Sequence, residues 1–318
     1  MDPVILLMIG LAIIALLMLA VIIVSLICFK MAFYSPKRKP IPEGYYDVPD
    51  GPEYQAFTET FHAWQDATRK MSYIPVEIKS YDGLTLKGRF YEYSPDAPIE
   101  IMFHGYRGSS DRDLCGGVQR CFKLGHSTLI VDHRAHGESD GHVITFGYKE
   151  RIDCLNWINF TINRFGKDKK IILTGISMGA ATVLITSGEE LPENVVGIIA
   201  DCGFSSAKEM ILKSLKEMHL PPKPMYPIVR LGGMLWGNFD PDLATPIEAV
   251  KKARVPIIFI HGDSDSFVPC EMCHRMFEVC SAPKMKYIVN GAGHGLAYPQ
   301  NEEEYFKAIN EFKKMLDL

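Results

Sequence analysis

The segment from Gly175 to Gly179, GISMG in one-letter code, constrains the fold of this chain more than any other segment. It follows a mostly apolar, β-branched run at 170–174 and precedes small and apolar residues at 180–184. A strand, the pattern G-x-S-x-G and a helix in this order form a nucleophile elbow, a turn so sharp that only glycine fits two positions before and after the serine. The pattern therefore predicts that Ser177 stands at the edge of a sheet as a nucleophile.

Two later loops supply the groups that a serine nucleophile needs. The first contains Asp263 and Asp265 and follows the apolar run 255–260, and the second contains His294 and follows another such run. A serine hydroxyl is a weak nucleophile at neutral pH, so an imidazole must take its proton and a carboxylate must hold that imidazole in the correct tautomer. Because the order serine, aspartate, histidine is expected when each residue follows a strand of one parallel sheet, we predict a catalytic triad of Ser177, one of these aspartates and His294.

Acyl transfer also needs hydrogen-bond donors at the carbonyl oxygen, where negative charge develops. One predicted donor is the backbone N–H of Met178, directly after the candidate nucleophile. The second is expected from the loop after an earlier strand, and the loop His104–Ser110 follows the apolar run 99–103. We predict that the backbone N–H of Tyr106 is this second donor.

Together these motifs resemble the α/β-hydrolases, in particular the branch of serine aminopeptidases and monoglyceride-lipase-like esterases with its bacterial membrane-anchored members. The resemblance covers residues 73–318 and includes the segment Asp132–Ser139, which has the pattern D-x-R-x-H-G-x-S. It implies an α/β fold with a mainly parallel eight-stranded sheet and helices on both faces, and no metal or organic cofactor. A strand-free stretch at about 204–245 corresponds to the helical lid that the resemblance implies after the sixth strand.

The resemblance also selects between the two aspartates. The pattern H-G-x-x-D-x-x-V-P from His261 to Pro269 matches the acid loop of this family. That match assigns Asp265 to the triad and leaves Asp263 to brace the loop. Structural roles in the interior are expected for three polar residues that follow other strands: Arg134, His136 and Asp201.

The start of the chain differs in kind from the rest. From Pro3 to Phe29 no residue is charged, and nearly all residues are Ile, Leu, Val, Ala or Met. The run is long enough to cross a hydrocarbon core of about 30 Å with some tilt. A cleaved signal peptide has a basic start, a shorter apolar run and a small-x-small site, whereas here Asp2 precedes the run and no such site follows it. We therefore predict a transmembrane anchor.

Positive charges after this run predict its orientation. Lys30, Lys37, Arg38 and Lys39 follow the run, whereas Asp2 precedes it. Basic residues stay on the cytoplasmic side of a membrane, so we expect a single-pass membrane protein with a cytoplasmic catalytic domain. The eight scattered cysteines fit a reducing compartment, because a domain of this size does not need disulfides.

Cys270, Cys273, His274 and Cys280 raise the alternative of a metal or haem site. The run 269–281, however, is typical of a helix with one apolar face. The sequence has no second C-x-x-C and no histidine at zinc-finger spacing. We therefore predict packed cysteines on a helix and no bound metal.

The expected organisation has three parts. A transmembrane anchor occupies 1–30, a juxtamembrane spacer and a helix occupy 31–72, and the catalytic domain occupies 73–318. The spacer is expected at Ser35–Tyr46, where prolines recur. A formal net charge of −4 gives no basic field for nucleic acid, which excludes that class of partner.

These features predict a serine hydrolase that cleaves carboxylic esters with an apolar or monoacylglycerol-like acyl group. A peptidase or amidase is the nearest alternative, since it would use the same triad on an amide. An acyltransferase or thioesterase would also use this triad, with a different acceptor or leaving group. A fourth alternative is a non-catalytic hydrolase-fold module that binds a ligand or a partner at the membrane.

Overall fold

The computed structural model describes residues 2–36 and 44–318, and one eight-stranded sheet forms its centre. In chain order, the strands are β1 (Ile74–Lys79), β2 (Thr85–Tyr91), β3 (Ile99–Phe103), β4 (Ser127–Val131), β5 (Ile171–Ile176), β6 (Val195–Asp201), β7 (Ile257–Gly262) and β8 (Lys284–Val289). Their order across the sheet is β1-β2-β4-β3-β5-β6-β7-β8. β2 pairs antiparallel with β1 and β4, whereas the six strands from β4 to β8 across the sheet are parallel. The predicted mainly parallel eight-stranded sheet is therefore confirmed.

Twelve α-helices occur among the described residues. They are α1 (Pro3–Ala32), α2 (Thr58–Arg69), α3 (Ser110–Asp113), α4 (Cys115–Lys123), α5 (Glu150–Phe165), α6 (Met178–Thr186), α7 (Ala207–Glu217), α8 (Pro222–Gly237), α9 (Pro246–Ala249), α10 (Cys270–Val279), α11 (Ala297–Gln300) and α12 (Glu302–Met315). Short 3₁₀ helices occupy Pro52–Phe57, Pro241–Leu243 and Val250–Lys252.

Helices cover both faces of the sheet and bury its central strands. All residues of β3 and β4 are buried, as expected for mainly apolar strands in the parallel part of a sheet with both faces covered. On one face, Trp157 of α5 belongs to the same apolar cluster as strand residues such as Phe103. On the other face, Phe312 of α12 packs with Ile258 of β7. This sandwich holds the carboxyl ends of the parallel strands at a common edge.

α1 has two parts with different surroundings. From Val4 to Ile23 every residue is exposed except the half-buried Gly10. At a rise of 1.5 Å per residue this part is about 30 Å long. By length and composition α1 is able to cross a membrane. Beyond Ile23, by contrast, the helix enters the protein interior, where Ser25 and Phe29 are buried.

The chain directly after α1 is packed into the core. The Phe33 side chain is 0% exposed and makes edge-to-face contacts with Phe146 and Phe239, at centroid distances of 5.8 and 5.1 Å. Its carbonyl accepts a hydrogen bond from the N–H of Ile144, and the next residue, Tyr34, forms a β-bridge with Val143. The end of α1 is therefore fixed to the domain by backbone as well as side-chain contacts.

A helical insertion, residues 204–245 with α7 and α8, lies between β6 and α9. α8 packs across the end of α1, where a Cβ atom on Gly232 would lie only 2.5 Å from the carbonyl oxygen of Ser25. The indole N–H of Trp236 donates to the Ser25 hydroxyl at 3.2 Å. The insertion contains no strand among the described residues, in agreement with the sequence pattern.

Part of the predicted spacer lies outside the described residues. Lys37, Arg38 and Lys39, on which the predicted orientation depends, belong to the segment 37–43 that the structure does not describe. The spacer, the three-part division of the chain and the orientation stay predictions.

Replacement of Phe33 by alanine tests the docking of the α1 end. Loss of this fully buried ring should lower the free energy of unfolding by about 3–5 kcal/mol, since its burial is lost and a cavity is left. The measurement is denaturant unfolding of the full chain in detergent micelles. Leu19→Ala, in the exposed part of α1, is the matched control and should leave the transition unchanged. Equal stability of both variants would contradict the packing described above.

Candidate active site

Ser177 occupies the sharp turn between β5 and α6. Its backbone has φ 55° and ψ −115°, a conformation that is strained for a residue with a side chain. A Cβ atom on Gly175 would lie 2.2 Å from the backbone of Gly179, and a Cβ on Gly179 would lie 2.0 Å from the carbonyl oxygen of Phe103. Both glycines are therefore required by close backbone approach, as the G-x-S-x-G pattern predicts.

The structure brings the three predicted triad side chains together. His294 Nε2 lies 2.9 Å from Ser177 Oγ, and His294 Nδ1 lies 2.7 Å from Asp265 Oδ2. The three residues follow β5, β7 and β8, whose carboxyl ends share one edge of the sheet. This arrangement allows the imidazole to accept the serine proton while the carboxylate stabilises the imidazolium.

Asp265 is held as a carboxylate by several hydrogen bonds. Burial raises the pKa of this carboxyl, but hydrogen bonds from His261, His294 and the N–H of Val268 outweigh burial and hold the pKa well below its usual range. Its Oδ1 accepts from the N–H groups of Phe267 and Val268 at 2.9 and 2.8 Å. These bonds leave Oδ2 directed at His294.

Asp263 is placed differently. Its Oδ1 accepts from the N–H of Gly291 at 2.7 Å and from the Ser264 hydroxyl at 3.0 Å. It thereby joins the loop after β7 to the loop that carries His294. Asp263 is the residue that braces the loop, as predicted, and Asp265 is the one that contacts His294.

The two predicted oxyanion donors lie beside the serine. Met178 is the first residue of α6, so its N–H has no acceptor within the helix. Gly105 is close enough that a Cβ atom on it would lie 3.8 Å from Ser177 Oγ, which brings the loop with Tyr106 next to the hydroxyl. Neither N–H has a hydrogen-bond acceptor among the residues that the structure describes. Their roles as donors to an oxyanion stay predictions.

The Tyr106 hydroxyl is bonded to the end of α1. It donates to the carbonyl oxygen of Ala32 at 2.9 Å, in the last turn of α1. The neighbouring Arg107 guanidinium donates to the carbonyl oxygen of Met31 at 2.7 Å. The loop that carries the candidate donor is thus attached to the end of α1, a contact that no motif indicated.

Buried polar groups behind this loop fix its path. His136 Nε2 accepts from the N–H of Arg107 at 3.0 Å. Arg134 makes two bonds to Asp153, at 2.6 and 2.8 Å, and two to Asp82, at 2.9 and 3.2 Å. Arg134 and His136 therefore have the predicted structural positions and do not touch Ser177.

Two cavities of different character meet at Ser177. The first, of about 210 Å³, is almost wholly apolar and extends between the helical insertion and the end of α1. The second, of about 290 Å³, has mixed polar and apolar walls, which include the charged residues Asp50, Glu53 and Arg112. Tyr106 and Phe267 line both cavities and separate them together with Ser177.

Two residues of the polar side were not found from the sequence. Tyr54 donates its hydroxyl to the backbone carbonyl of His294 at 2.9 Å. The Phe267 ring contacts the His294 ring edge-to-face at 5.0 Å between centroids. Phe267 stands two positions after Asp265, so its place in the sequence could have indicated that it lies near the site. Tyr54 is 240 positions from His294, and nothing in the sequence indicates that the two meet.

One group of metal-capable side chains occurs among the described residues, and it coincides with the triad. The Cys202 thiol, the Asp265 carboxylate and the His294 imidazole lie within 4.8 Å of one another. Burial raises the pKa of the Cys202 thiol well above its usual range, which disfavours the thiolate that a metal requires. His294 Nδ1 and Asp265 are already hydrogen-bonded to each other, so this donor set does not fit a metal site. Cys273 and Cys280 are buried thiols on or beside α10, which confirms the predicted helix.

The chain is similar in sequence to one family model and to several proteins from bacteria and yeast. A family model described as "alpha/beta hydrolase fold" matches residues 101–230. The uncharacterized protein YqkD of Bacillus subtilis is 30% identical over 258 residues, which are 80% of this chain and 84% of that protein. Protein bem46 of Schizosaccharomyces pombe is 23% identical over 224 residues, 68% of this chain and 69% of that protein.

Solved structures agree in fold. A Pyrococcus furiosus esterase superimposes with a TM-score of 0.65 and 23% identity, over 77% of this chain and 92% of that one. Est1E from Butyrivibrio proteoclasticus, solved with ferulic acid bound, gives a TM-score of 0.59 and 20% identity, over 76% of this chain and 98% of that one. At these identities the likeness concerns the fold alone.

The raised pKa of Asp201, the last residue of β6, predicts that the stability of the protein depends on pH. Burial raises the pKa of its carboxyl from 3.8 to about 6 in the folded protein, so the folded state holds the proton more tightly than the unfolded state. Stability should therefore fall as the pH rises from about 4 to about 6, by on the order of 3 kcal/mol. The variant Asp201→Asn has no carboxyl group that titrates at this position, so its stability should not show this decrease.

The measurement is guanidinium unfolding in detergent between pH 4 and pH 7. The stability of Asp201→Asn relative to the unmodified chain should increase across this interval. Asp96→Asn, at an exposed position, should show no such trend. A constant difference for Asp201→Asn would exclude the raised pKa.

Proposed function

Because the chain belongs to the α/β-hydrolase superfamily, we propose that it is a serine hydrolase that cleaves carboxylic esters with an apolar acyl group. The observation that carries this proposal is the continuous chain of hydrogen bonds from Ser177 Oγ to His294 Nε2 at 2.9 Å and from His294 Nδ1 to Asp265 at 2.7 Å. It stands at a strained strand-to-helix turn, where a serine hydroxyl is held out of the sheet.

In the proposed reaction, Ser177 Oγ attacks the ester carbonyl carbon while His294 Nε2 takes the hydroxyl proton. The backbone N–H groups of Met178 and Tyr106 donate to the oxyanion that forms. When the tetrahedral intermediate collapses, the ester C–O bond breaks and His294 returns the proton to the leaving alcohol. Water then attacks the acyl-enzyme by the same route and releases the carboxylic acid. Asp265 keeps His294 oriented and stabilises its protonated form throughout.

The two cavities support a division of the substrate. The apolar cavity beside Ser177 suits the acyl chain, since its walls offer almost no hydrogen-bonding groups. The polar cavity, with Asp50, Glu53 and Arg112, suits the alcohol part of the ester. A monoacylglycerol-like ester has these two parts on either side of its carbonyl group.

An aminoacyl amide or peptide is the second candidate substrate. Such a substrate carries an ammonium group that needs acidic partners, and the polar cavity offers Asp50 and Glu53 near the serine. Cleavage of aminoacyl amides without cleavage of esters would select this candidate. An acyltransferase or thioesterase would use the same triad, and product analysis with an added alcohol or amine acceptor distinguishes transfer from hydrolysis.

We also propose that α1 anchors the protein in a membrane. Its exposed part, Val4 to Ile23, is about as long as the hydrocarbon core is thick, roughly 30 Å. Removal of α1 as a signal peptide would take away Phe29, which is buried in the domain, and Ser25, to which the Trp236 indole donates. The basic residues after the helix favour a cytoplasmic catalytic domain.

An active-site-directed fluorophosphonate tests the nucleophile. The full chain in detergent should be labelled at one serine and should hydrolyse p-nitrophenyl esters. Ser177→Ala should lose both reactions, because no other hydroxyl contacts the His294 imidazole among the residues that the structure describes. The readouts are gel fluorescence, peptide mass analysis and ester hydrolysis. A folded chain without labelling or hydrolysis would instead support the non-catalytic binding module.

Paired aspartate variants test the choice of triad acid. Asp265→Asn should lower kcat by on the order of 10³ to 10⁴, because an amide favours the wrong imidazole tautomer. Asp263→Asn is the matched control in the same loop and should reduce kcat far less, since Asp263 only braces the loop. Steady-state kinetics on one p-nitrophenyl ester measures both. A larger loss in Asp263→Asn would overturn the assignment.

A further inference from the structure

The end of α1 forms part of the wall of the apolar cavity. Cys28, Met31 and Ala32 of α1 line the same cavity as Ser177. Opposite them lie residues of the insertion, among them Met210 and Leu215. The helix that we propose as the membrane anchor is thus in direct contact with the space beside the candidate nucleophile.

The position of this wall along α1 relates it to the membrane. The exposed part of the helix ends at Ile23, so Cys28 lies about 8 Å and Met31 about 12 Å further along the axis. The headgroup region extends roughly 5–8 Å beyond each side of the hydrocarbon core. If Val4 to Ile23 spans the core, the cavity wall begins at the outer limit of the headgroups, and Met31 lies just beyond them.

The exposed residues around the cavity are also apolar. Met31, Met218 and Leu220 line the cavity and are 52%, 49% and 36% exposed, so they form its mouth. At the end of α8 three consecutive residues are exposed as well: Met234, Leu235 and Trp236. The Trp236 indole is bonded to Ser25, two residues beyond the exposed part of α1. Tryptophan at this level is typical of a membrane–water interface.

The last turn of α1 is also hydrogen-bonded to the loop His104–Ser110, which lies beside Ser177. The carbonyl oxygens of Met31 and Ala32, in the last turn of α1, accept hydrogen bonds from Arg107 and the Tyr106 hydroxyl. Carbonyl groups in the last turn of a helix lack partners within the helix, so these bonds cap it. The end of α1 is therefore held at a fixed distance from the loop beside Ser177.

We propose that the last two turns of α1 form one wall of the acyl-binding pocket, and that the pocket opens on the lipid surface. The substrate is then an ester that resides in the membrane, and its hydrocarbon chain enters between Met31 and the α7–α8 turn. At about 210 Å³ the cavity exceeds the ~150 Å³ apolar cavity that holds one benzene, so it accepts a chain of more than about six carbons. This proposal rests on the proposed ester hydrolysis and specifies where the acyl chain binds.

Variants of α1 test the wall in the full chain reconstituted in lipid nanodiscs. Cys28→Phe fills the cavity and should lower kcat/KM by about tenfold or more for p-nitrophenyl octanoate and longer esters, since pockets discriminate strongly by single methylenes. The acetate ester and fluorophosphonate labelling should stay at the level of the unmodified chain. Ile27→Phe, at the adjacent exposed position outside the cavity, is the matched control and should leave the whole series unchanged.

A second variant covers the case in which Cys28→Phe does not fold. Met31→Ala removes side-chain atoms from the mouth and leaves the backbone bond to Arg107, so it should move the preferred acyl length upward. An unchanged chain-length profile in both variants, with Ser177 still labelled, would overturn the α1 wall and leave the proposed hydrolysis intact. If the unmodified chain cleaves no ester of the series and shows no labelling, the proposed function fails instead.

Entry from the bilayer has its own test. A long-chain monoacylglycerol is placed either in the vesicles that contain the protein or in separate vesicles. Turnover should be faster by about tenfold or more in the first case, because each methylene that leaves the bilayer costs free energy. A water-soluble acetate ester controls for activity. Equal turnover of the monoacylglycerol in both arrangements would exclude lateral entry.

Discussion

The close contact of three backbone segments around Ser177 is the constraint on which the rest of this structure depends. β5 and α6 approach so closely that neither Gly175 nor Gly179 has room for a side chain, and the carbonyl of Phe103 at the end of β3 fills the remaining space. This contact forces the serine into a left-handed conformation and directs the start of α6 at its hydroxyl. Any larger residue at these glycines would separate the strand from the helix.

A buried carboxylate completes the arrangement. Asp265 is costly to bury as an anion, and its four hydrogen-bond contacts compensate for that cost. The two backbone N–H bonds occupy Oδ1, and Oδ2 is directed at His294 with His261 close by. His136 accepts a hydrogen bond from the N–H of Arg107, next to Tyr106, and so helps to hold that loop. Arg134 is paired with Asp153 in the interior.

The first helix is more than a tether in this architecture. Its end is inserted between the helical insertion and the loop beside the serine, with Phe33 fully buried and the last carbonyls capped by Tyr106 and Arg107. A chain cut after residue 45 would lose these contacts and open one side of the apolar cavity. Assays therefore require the full chain in detergent or lipid.

The sequence by itself determined the alternating strands and helices, the turn at Ser177 and the long apolar helix, because each follows from contiguous residues: apolar periodicity, paired glycines and an uncharged run. The number of eight strands came from the family resemblance. The sequence also named His294, but it left two aspartates possible without the family resemblance. Only the tertiary structure placed Asp265 rather than Asp263 against the imidazole, Tyr54 against the His294 carbonyl and Cys28 in the wall of the cavity that reaches the serine. These contacts join segments up to 240 positions apart, and local patterns carry no information about which distant surfaces meet when the chain packs.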